Sequence, residues 1–255
     1  MKILIIDYGA GNVCSVANAL SHIANPQEIT VSNKISDLKS ANYLILPGVG
    51  AFGDCMDSLK NMEGFLPEMR NQVLKEKKPF LGICVGMQVL ANIGYENGEH
   101  QGLGFINGHV EKIPQILDAN SAKKSTRMRD LPQTQSLFSQ TQSLLTKKST
   151  RMRDLPLEGD GGSILKIPHM GWNDIIIKPN KHAVLQGIEN GEHFYFANSY
   201  HFVCQNENNV LAQVEYGDKL TAIVAKENIF GVQFHPEKSG ETGLKLLKNF
   251  LNWRP

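Results

Sequence analysis

Residues 79–92 read Pro79-Phe-Leu-Gly-Ile-Cys84-Val-Gly-Met-Gln88-Val-Leu-Ala-Asn92. The part from Pro79 to Cys84 is a short apolar run, typical of a strand buried on both faces of a parallel sheet. The part from Met87 to Asn92 has helical spacing. Between them, Gly82-Ile-Cys-Val-Gly86 has the form of a nucleophile elbow, in which small flanking residues permit a sharp turn. The segment therefore predicts that Cys84 presents its sulfur at the carboxyl edge of a sheet.

Strand and helix patterns alternate before this segment. Apolar runs at Lys2–Asp7 and Tyr43–Pro47 predict two more buried strands. Helical patterns occupy Asn12–Ser21, where Asn12 can act as the N-cap, and Glu68–Lys78. This alternation favours a doubly wound α/β fold with a mostly parallel sheet flanked by helices.

The second half of the chain has a different pattern. Strand candidates at 193–202, 209–216 and 220–234 are separated by turn signals rather than by helices, so we expect a mixed sheet. A last helix opens at Ser239, and its apolar face is predicted to contain Leu244, Leu247, Phe250 and Leu251.

Composition excludes several classes of function. The 255 residues favour one domain, and 26 Lys or Arg against 25 Asp or Glu create no overall field that would attract nucleic acid or a membrane. The first residues lack the pattern of a signal peptide, so we expect a cytoplasmic protein. The four cysteines show neither a disulfide framework nor metal-binding spacing, and we expect no metal and no cofactor.

One segment does not resemble folded core. Lys-Lys-Ser-Thr-Arg-Met-Arg-Asp-Leu-Pro occurs at 123–132 and again at 147–156, and Gln-Thr-Gln-Ser-Leu occurs at 133–137 and 140–144. Two copies are too few for a solenoid. We predict a single domain over 1–255 with a mobile, repeat-bearing surface insertion at about 118–163. A basic segment that binds RNA or a partner is the alternative.

Two further residues complete a candidate catalytic set. The start of the helix after Cys84 would stabilise a thiolate, and the Val85 N–H could serve a developing oxyanion. A thiolate that performs acyl transfer also needs a base and a group that orients the base. Phe234-His-Pro-Glu237 offers both at the end of a strand candidate, where His235 and Glu237 can project to one side.

Several motifs resemble those of class I glutamine amidotransferases, and in particular the glutaminase subunits of imidazole glycerol phosphate synthases. They occur in the family's order and cover the chain except for roughly 118–163: Asp7-Tyr-Gly-Ala-Gly-Asn12, Leu46-Pro-Gly-Val-Gly-Ala-Phe52, Gly82-Ile-Cys-Val-Gly-Met-Gln88, Pro168-His-Met-Gly-Trp-Asn173 and Gln233-Phe-His-Pro-Glu-Lys-Ser239.

The resemblance implies a role for each matching position. Cys84 would be the nucleophile, His235 the general base and acid, and Glu237 the group that orients it. Pro47-Gly-Val-Gly50 would form the oxyanion strand, which includes Gly48, Val49 and Gly50. The residues near bound glutamine would be Gln88, Glu96, Ser199 and Tyr200. The implied partner is a TIM-barrel cyclase subunit that uses the ammonia in histidine biosynthesis.

The chain departs from the family pattern in two places. Asn198-Ser-Tyr-His201 stands where the family usually has His-Ser-Tyr-Tyr, and the insertion precedes the Pro168 motif. Two alternatives remain open: a paralogous glutaminase that supplies ammonia for amination of a surface sugar, and a catalytically silent binding subunit. His193 and His201 could share a strand face, but they lack the carboxylate or thiolate company that a metal site needs.

Overall fold

The computed structural model describes residues 1–114, 117–118, 163–179 and 182–255. Contacts divide the chain into two units. One comprises Met1–Gln115 together with Lys166–Pro255, and the other comprises Ile116–Leu165.

The helices are α1 (Val13–Ser21), α2 (Ile35–Ser40), α3 (Phe52–Asn61), α4 (Phe65–Leu74), α5 (Val85–Gln88) and α6 (Gly240–Asn252). The strands are β1 (Ile3–Ile6), β2 (Ile29–Ser32), β3 (Tyr43–Gly48), β4 (Phe80–Cys84), β5 (Ile93–Gly94), β6 (His100–Gln101), β7 (Gly108–Lys112), β8 (Leu117–Asp118), β9 (Ser163–Ile164), β10 (His169–Ile177), β11 (His193–Asn198), β12 (Tyr200–Cys204), β13 (Val210–Tyr216), β14 (Asp218–Lys226) and β15 (Ile229–Val232).

A nine-stranded sheet in the order β11-β10-β13-β14-β15-β4-β3-β1-β2 forms the centre of the larger unit. The pairings from β15 through β4, β3 and β1 to β2 are parallel, whereas the pairings from β11 through β10, β13 and β14 to β15 are antiparallel. Every residue of β1, β3, β4 and β15 is buried, because the sheet has other elements on both faces. The predicted α/β class with a mixed, helix-flanked sheet is confirmed.

The aromatic segment 193–202 forms two strands rather than one. Strand β11 pairs with β10 in the large sheet, and β12 pairs with β7 in a four-stranded sheet of order β12-β7-β5-β6. The chain changes sheets at Ser199. Alternation along a sequence reports which face a side chain occupies but not which neighbour the strand joins, so the pattern could not reveal this change.

Helix ends also differ from the sequence predictions. The helix predicted at 68–78 is α4, Phe65–Leu74, and the one predicted at 87–92 is the single turn α5. The final helix buries Leu246, Leu247, Phe250 and Leu251, whereas Leu244 is only half-buried. Within the described residues, no helix combines the length and the apolar character needed to cross a membrane.

The smaller unit contains an antiparallel pair, in which Asp118 of β8 lies opposite Ser163 of β9. The two chain ends that lead into 119–162 are therefore adjacent. Apart from its end residues, the predicted insertion at 118–163 lies outside the described residues, and the prediction of a single domain with an insertion stays a prediction.

Candidate active site

Cys84 occupies the last position of β4, at the carboxyl edge of the parallel half of the sheet. Its backbone has φ 54° and ψ −112°, which is unusual for a residue other than glycine, and the side chain is 4% exposed. Strand β3 runs beside it, with Gly48 opposite Cys84. Strained backbone of this kind is found where the surrounding structure holds a reactive group in place.

Close backbone packing explains the glycines around this cysteine. A Cβ on Gly86 would lie 1.9 Å from the Leu46 carbonyl oxygen, and one on Gly82 would lie 2.4 Å from the Gly86 carbonyl oxygen. A Cβ on Gly48 would lie 2.4 Å from the Gly86 nitrogen. All three distances are shorter than any normal contact. Glycine at these positions lets β3, β4 and α5 meet, as the elbow pattern predicted.

His235 and Glu237 follow β15 and lie together. The distance from His235 Nδ1 to Glu237 Oε1 is 2.8 Å, and the imidazole also interacts electrostatically with the Cys84 side chain. The His235 backbone is held on both sides, because its N–H donates to the Tyr195 carbonyl (2.9 Å) and its carbonyl accepts from the Ser239 hydroxyl (2.6 Å). The structure thus brings the cysteine, the imidazole and the carboxylate into one line of contacts.

The electrostatics favour a protonated imidazole. Burial alone would lower the pKa of His235, but hydrogen bonds from this ring to Cys84 and Glu237, together with their negative charges, raise the pKa from 6.5 to about 9. An imidazolium beside a sulfur stabilises the thiolate, which is the nucleophilic form of cysteine. The arrangement therefore places a proton donor beside the nucleophilic sulfur.

Asn12 has a role that the sequence analysis missed. It stands at the N-cap position of α1, but its side chain makes no capping hydrogen bond. Instead its Nδ2 donates to Glu237 Oε1 at 3.2 Å. The carboxylate oxygen that accepts from His235 is thereby fixed from a second direction. A polar residue followed by a helix matches the cap pattern, so the local sequence gave no signal of this contact.

The predicted oxyanion strand lies beside the elbow. Gly48 ends β3, Val49 is 39% exposed, and Gly50 has φ 85°, a conformation that favours glycine. Val85 directly follows Cys84 and begins α5. Glu96 reaches the far end of this strand, where one of its carboxylate oxygens accepts the Phe52 N–H at 2.8 Å. The Glu96 carboxylate therefore lies at the N-terminus of α3, whose first residue, Phe52, comes two positions after Gly50.

The other residues predicted near glutamine are connected to one another through Gln88 and Tyr200. Gln88 is 3% exposed, and its Nε2 donates to the Tyr200 carbonyl at 3.0 Å. Ser199 and Tyr200 are half-buried at the point where the chain passes between the two sheets. Gln88 also contacts Gln233, a buried residue that sequence reasoning did not single out.

His193 and His201 are not neighbours on one strand face, because they lie on β11 and β12 in different sheets. His201 Nε2 lies 3.7 Å from Glu111 Oε1. Burial lowers the pKa of His201 despite the Glu111 charge. In the part of the chain that the structure describes, no group of three His, Cys, Asp or Glu side chains could hold a metal ion.

Comparison with known proteins identifies the family. The family described as "Glutamine amidotransferase class-I" matches residues 4–253, and the chain belongs to this family of enzymes. Proteins named imidazole glycerol phosphate synthase subunit HisH are similar over their full length: that of Rhodospirillum rubrum is 39% identical, with 100% of both chains covered, and that of Zymomonas mobilis is 40% identical, with 99% of this chain and 96% of the relative covered.

Solved structures show the same fold. A crystal structure described as a glutamine amidotransferase aligns with a TM-score of 0.62 at 18% identity, covering 99% of this chain and 98% of that one. PurLQS from Thermotoga maritima aligns with a TM-score of 0.58 at 19% identity, covering 98% and 97%. At these identities the likeness is one of fold alone.

Proposed function

We propose that the chain is the glutaminase subunit of an imidazole glycerol phosphate synthase. In this role it hydrolyses glutamine to glutamate and passes ammonia to a cyclase subunit for histidine biosynthesis in the cytoplasm. The full-length similarity to several HisH proteins supports this particular role over a sugar-aminating paralogue. The observation that carries the chemistry is the contact line from Cys84 through His235 to Glu237.

The proposed mechanism uses these three residues in two steps. The Cys84 thiolate attacks the side-chain amide carbon of glutamine, and the His235 imidazolium gives its proton to the departing nitrogen, so that ammonia leaves and a glutamyl thioester remains. His235, now neutral, takes a proton from water, which attacks the thioester and releases glutamate and the thiolate. Glu237 keeps the imidazole oriented and stabilises its positive charge.

Backbone N–H groups would stabilise the oxyanion in both steps. The Val85 N–H lies next to the nucleophile, and Gly48, Val49 and Gly50 form the facing strand. Gly50, at φ 85°, allows a peptide in this strand to turn without side-chain strain. We therefore assign the donors to Val85 and to a peptide of the Gly48–Gly50 segment.

Four residues are assigned to glutamine binding: Glu96, Gln88, Ser199 and Tyr200. Glu96 carries a carboxylate that suits the substrate's ammonium group, and it lies at the end of the oxyanion strand. Gln88 is held within one turn of Cys84 by the Tyr200 carbonyl. Ser199 and Tyr200 complete the set at the passage between the two sheets.

The reactivity of ammonia and an exposed apolar surface both support a docked partner subunit. Ammonia released into water would be protonated and diluted, whereas a passage into a second subunit keeps it nucleophilic. Three exposed apolar side chains lie on β10 or in the oxyanion strand: Met170 at 65%, Trp172 at 43% and Val49 at 39%. Trp172 pairs with Tyr195, whose carbonyl accepts the His235 N–H. We assign this surface to the TIM-barrel cyclase.

The test measures glutamate release by the chain alone, with the cyclase, and with the cyclase and its ribonucleotide substrate. We expect release to rise with the partner and its substrate. Cys84→Ala should abolish glutamine-dependent synthesis but leave synthesis from ammonium salts, whereas Cys14→Ala, at an exposed cysteine, should change neither. Loss of both activities in Cys84→Ala would refute this division of labour. Stimulation only by a sugar-modifying partner would favour the paralogue.

A further inference from the structure

Gln233 is a buried amide in contact with the nucleophile. It directly follows β15, is 1% exposed, and its Nε2 lies 3.7 Å from Cys84 Sγ, within hydrogen-bonding range of sulfur. Its Oε1 accepts a hydrogen bond from Gln88 Nε2 at 3.0 Å. A buried primary amide is costly unless both ends are paired, and here one partner is the sulfur that the proposed mechanism requires.

The orientation of both amides follows from one acceptor. Gln88 Nε2 lies 3.0 Å from the Tyr200 carbonyl oxygen, which can only accept, so the nitrogen of the Gln88 amide must face it. The same nitrogen also faces Gln233, and therefore the Gln233 oxygen must point toward Gln88. The Gln233 NH₂ group is left to point at Cys84. A backbone carbonyl thus determines, through two side chains, that a donor faces the sulfur.

We propose that Gln233 is a positioning residue for the reaction: it holds an N–H donor against the Cys84 sulfur, favours the thiolate, and through Gln88 links the nucleophile to the glutamine-binding side of the site. This proposal rests on the proposed function for its role in catalysis. Its effect on the sulfur is independent of glutamine turnover.

The sign of the effect follows from the charge of the acceptor. A hydrogen bond donated to a thiolate is stronger than one donated to a thiol, so the donor favours ionisation. His235 and Tyr8 also interact electrostatically with Cys84, and Cys55 lies beside Tyr8. Burial raises the pKa of Tyr8 and that of Cys55, so both stay neutral near pH 7 and His235 supplies the positive charge. Gln233 adds a neutral dipole to that charge.

The test is the rate of Cys84 alkylation by iodoacetamide against pH in the full-length chain, followed by mass spectrometry of the Cys84 peptide. Gln233→Met removes the donor and keeps the side-chain length. We expect it to move the midpoint of the rate profile upward by about one pH unit, which is about a tenfold slower reaction below the midpoint. Gln233→Glu, which puts a carboxylate beside the sulfur, should move the midpoint further.

A double substitution tests the link through Gln88. Gln88→Met alone should move the midpoint upward by a smaller amount, because the Gln233 amide loses the group that orients it. Added to Gln233→Met, it should cause no further shift, since the donor is already absent. Additive shifts would refute the link.

Gln72→Met is the matched control. Gln72 is a buried glutamine of α4 whose Nε2 donates to Glu68 at 2.6 Å, so the same substitution removes a buried amide elsewhere. Its alkylation profile should match the wild type. An unchanged midpoint in folded Gln233→Met and Gln233→Glu would overturn the proposal even if glutamine turnover is normal. A shifted midpoint in a chain that never hydrolyses glutamine would sustain it while refuting the proposed function.

Discussion

Gly86→Ala tests whether the elbow depends on close backbone packing. The new Cβ would lie 1.9 Å from the Leu46 carbonyl oxygen, whereas Cβ contacts under 3.0 Å essentially do not occur, so β3 and α5 must separate by about 1 Å. The obstacle is backbone and cannot rotate away. Overpacking of this kind costs about 1–3 kcal/mol, and we place Gly86→Ala near the upper end of that range.

Two measurements follow from this shift. For a domain of this size, a loss of about 3 kcal/mol lowers Tm by about 6–12 °C, which thermal unfolding would detect. A displacement of about 1 Å between the nucleophile and the oxyanion donors should also slow glutamate release in the partner complex by about 100-fold. The loss should fall mainly on kcat, because the donors act mainly in the transition state.

Gly191→Ala is the matched control. Gly191 has φ 87°, but a Cβ there would meet nothing within 4 Å, so only the left-handed backbone opposes the substitution. That backbone strain costs about 1–2 kcal/mol, and it involves no steric clash of the kind expected at Gly86. We expect a smaller fall in Tm and normal turnover. Wild-type stability and wild-type turnover in Gly86→Ala would refute the packing argument.

Three further predictions concern charge, pH and the insertion. Glu237→Gln should slow glutamate release less than Cys84→Ala does. It should also move the alkaline fall in kcat/KM from about pH 9 toward neutrality, since Glu237 helps to raise the pKa of His235 and the first step needs the imidazolium; equal loss in a folded protein, or an unmoved profile, would contradict this. Burial lowers the pKa of His169 from 6.5 to about 4, so the unfolded chain binds more protons between these values and the wild type loses stability as pH falls through that window. His169→Phe should remove up to about 1.4 kcal/mol of that loss per pH unit, as measured by urea unfolding at pH 7 and pH 5, and equal losses in both proteins would refute it. Replacement of 121–160 by a short Gly/Ser linker should change the free energy of unfolding little, because loop closure depends weakly on length; failure to fold would show that the segment is needed.

The elbow could be predicted from the sequence because its cause is local. A strand, a sharp turn and a helix follow one another around Cys84, and the glycines that this turn requires, Gly82 and Gly86, can be read directly from the sequence. His235 and Glu237 were also predicted from local spacing, on the expectation that two positions along an extended chain project to one side. In the structure the strand ends at Val232, and the two side chains meet instead across a 3₁₀ turn over Pro236–Lys238. The carboxyl ends of parallel strands share one edge, so the meeting of these groups was a reasonable expectation.

The contacts that complete the site depend on distant pairs. Asn12 and Glu237 are 225 positions apart, and Gln88 and Gln233 are 145 apart. Nothing in either local pattern distinguishes an Asn that caps a helix from one that turns to a carboxylate. The choice depends on the hydrogen-bonding groups that folding brings nearby, and these are set by the packing of α1 against the turn that follows β15.

By itself, the sequence determined the α/β class, the elbow at Cys84 and the spacing of His235 and Glu237, because strand burial, glycine placement and residue period are properties of neighbouring positions. Only the tertiary structure decided that the chain changes sheets at Ser199 and that the Gln233 amide faces the sulfur. These outcomes depend on which strands pair and on which buried donors meet acceptors. Both are settled by the assembled core rather than by any one segment.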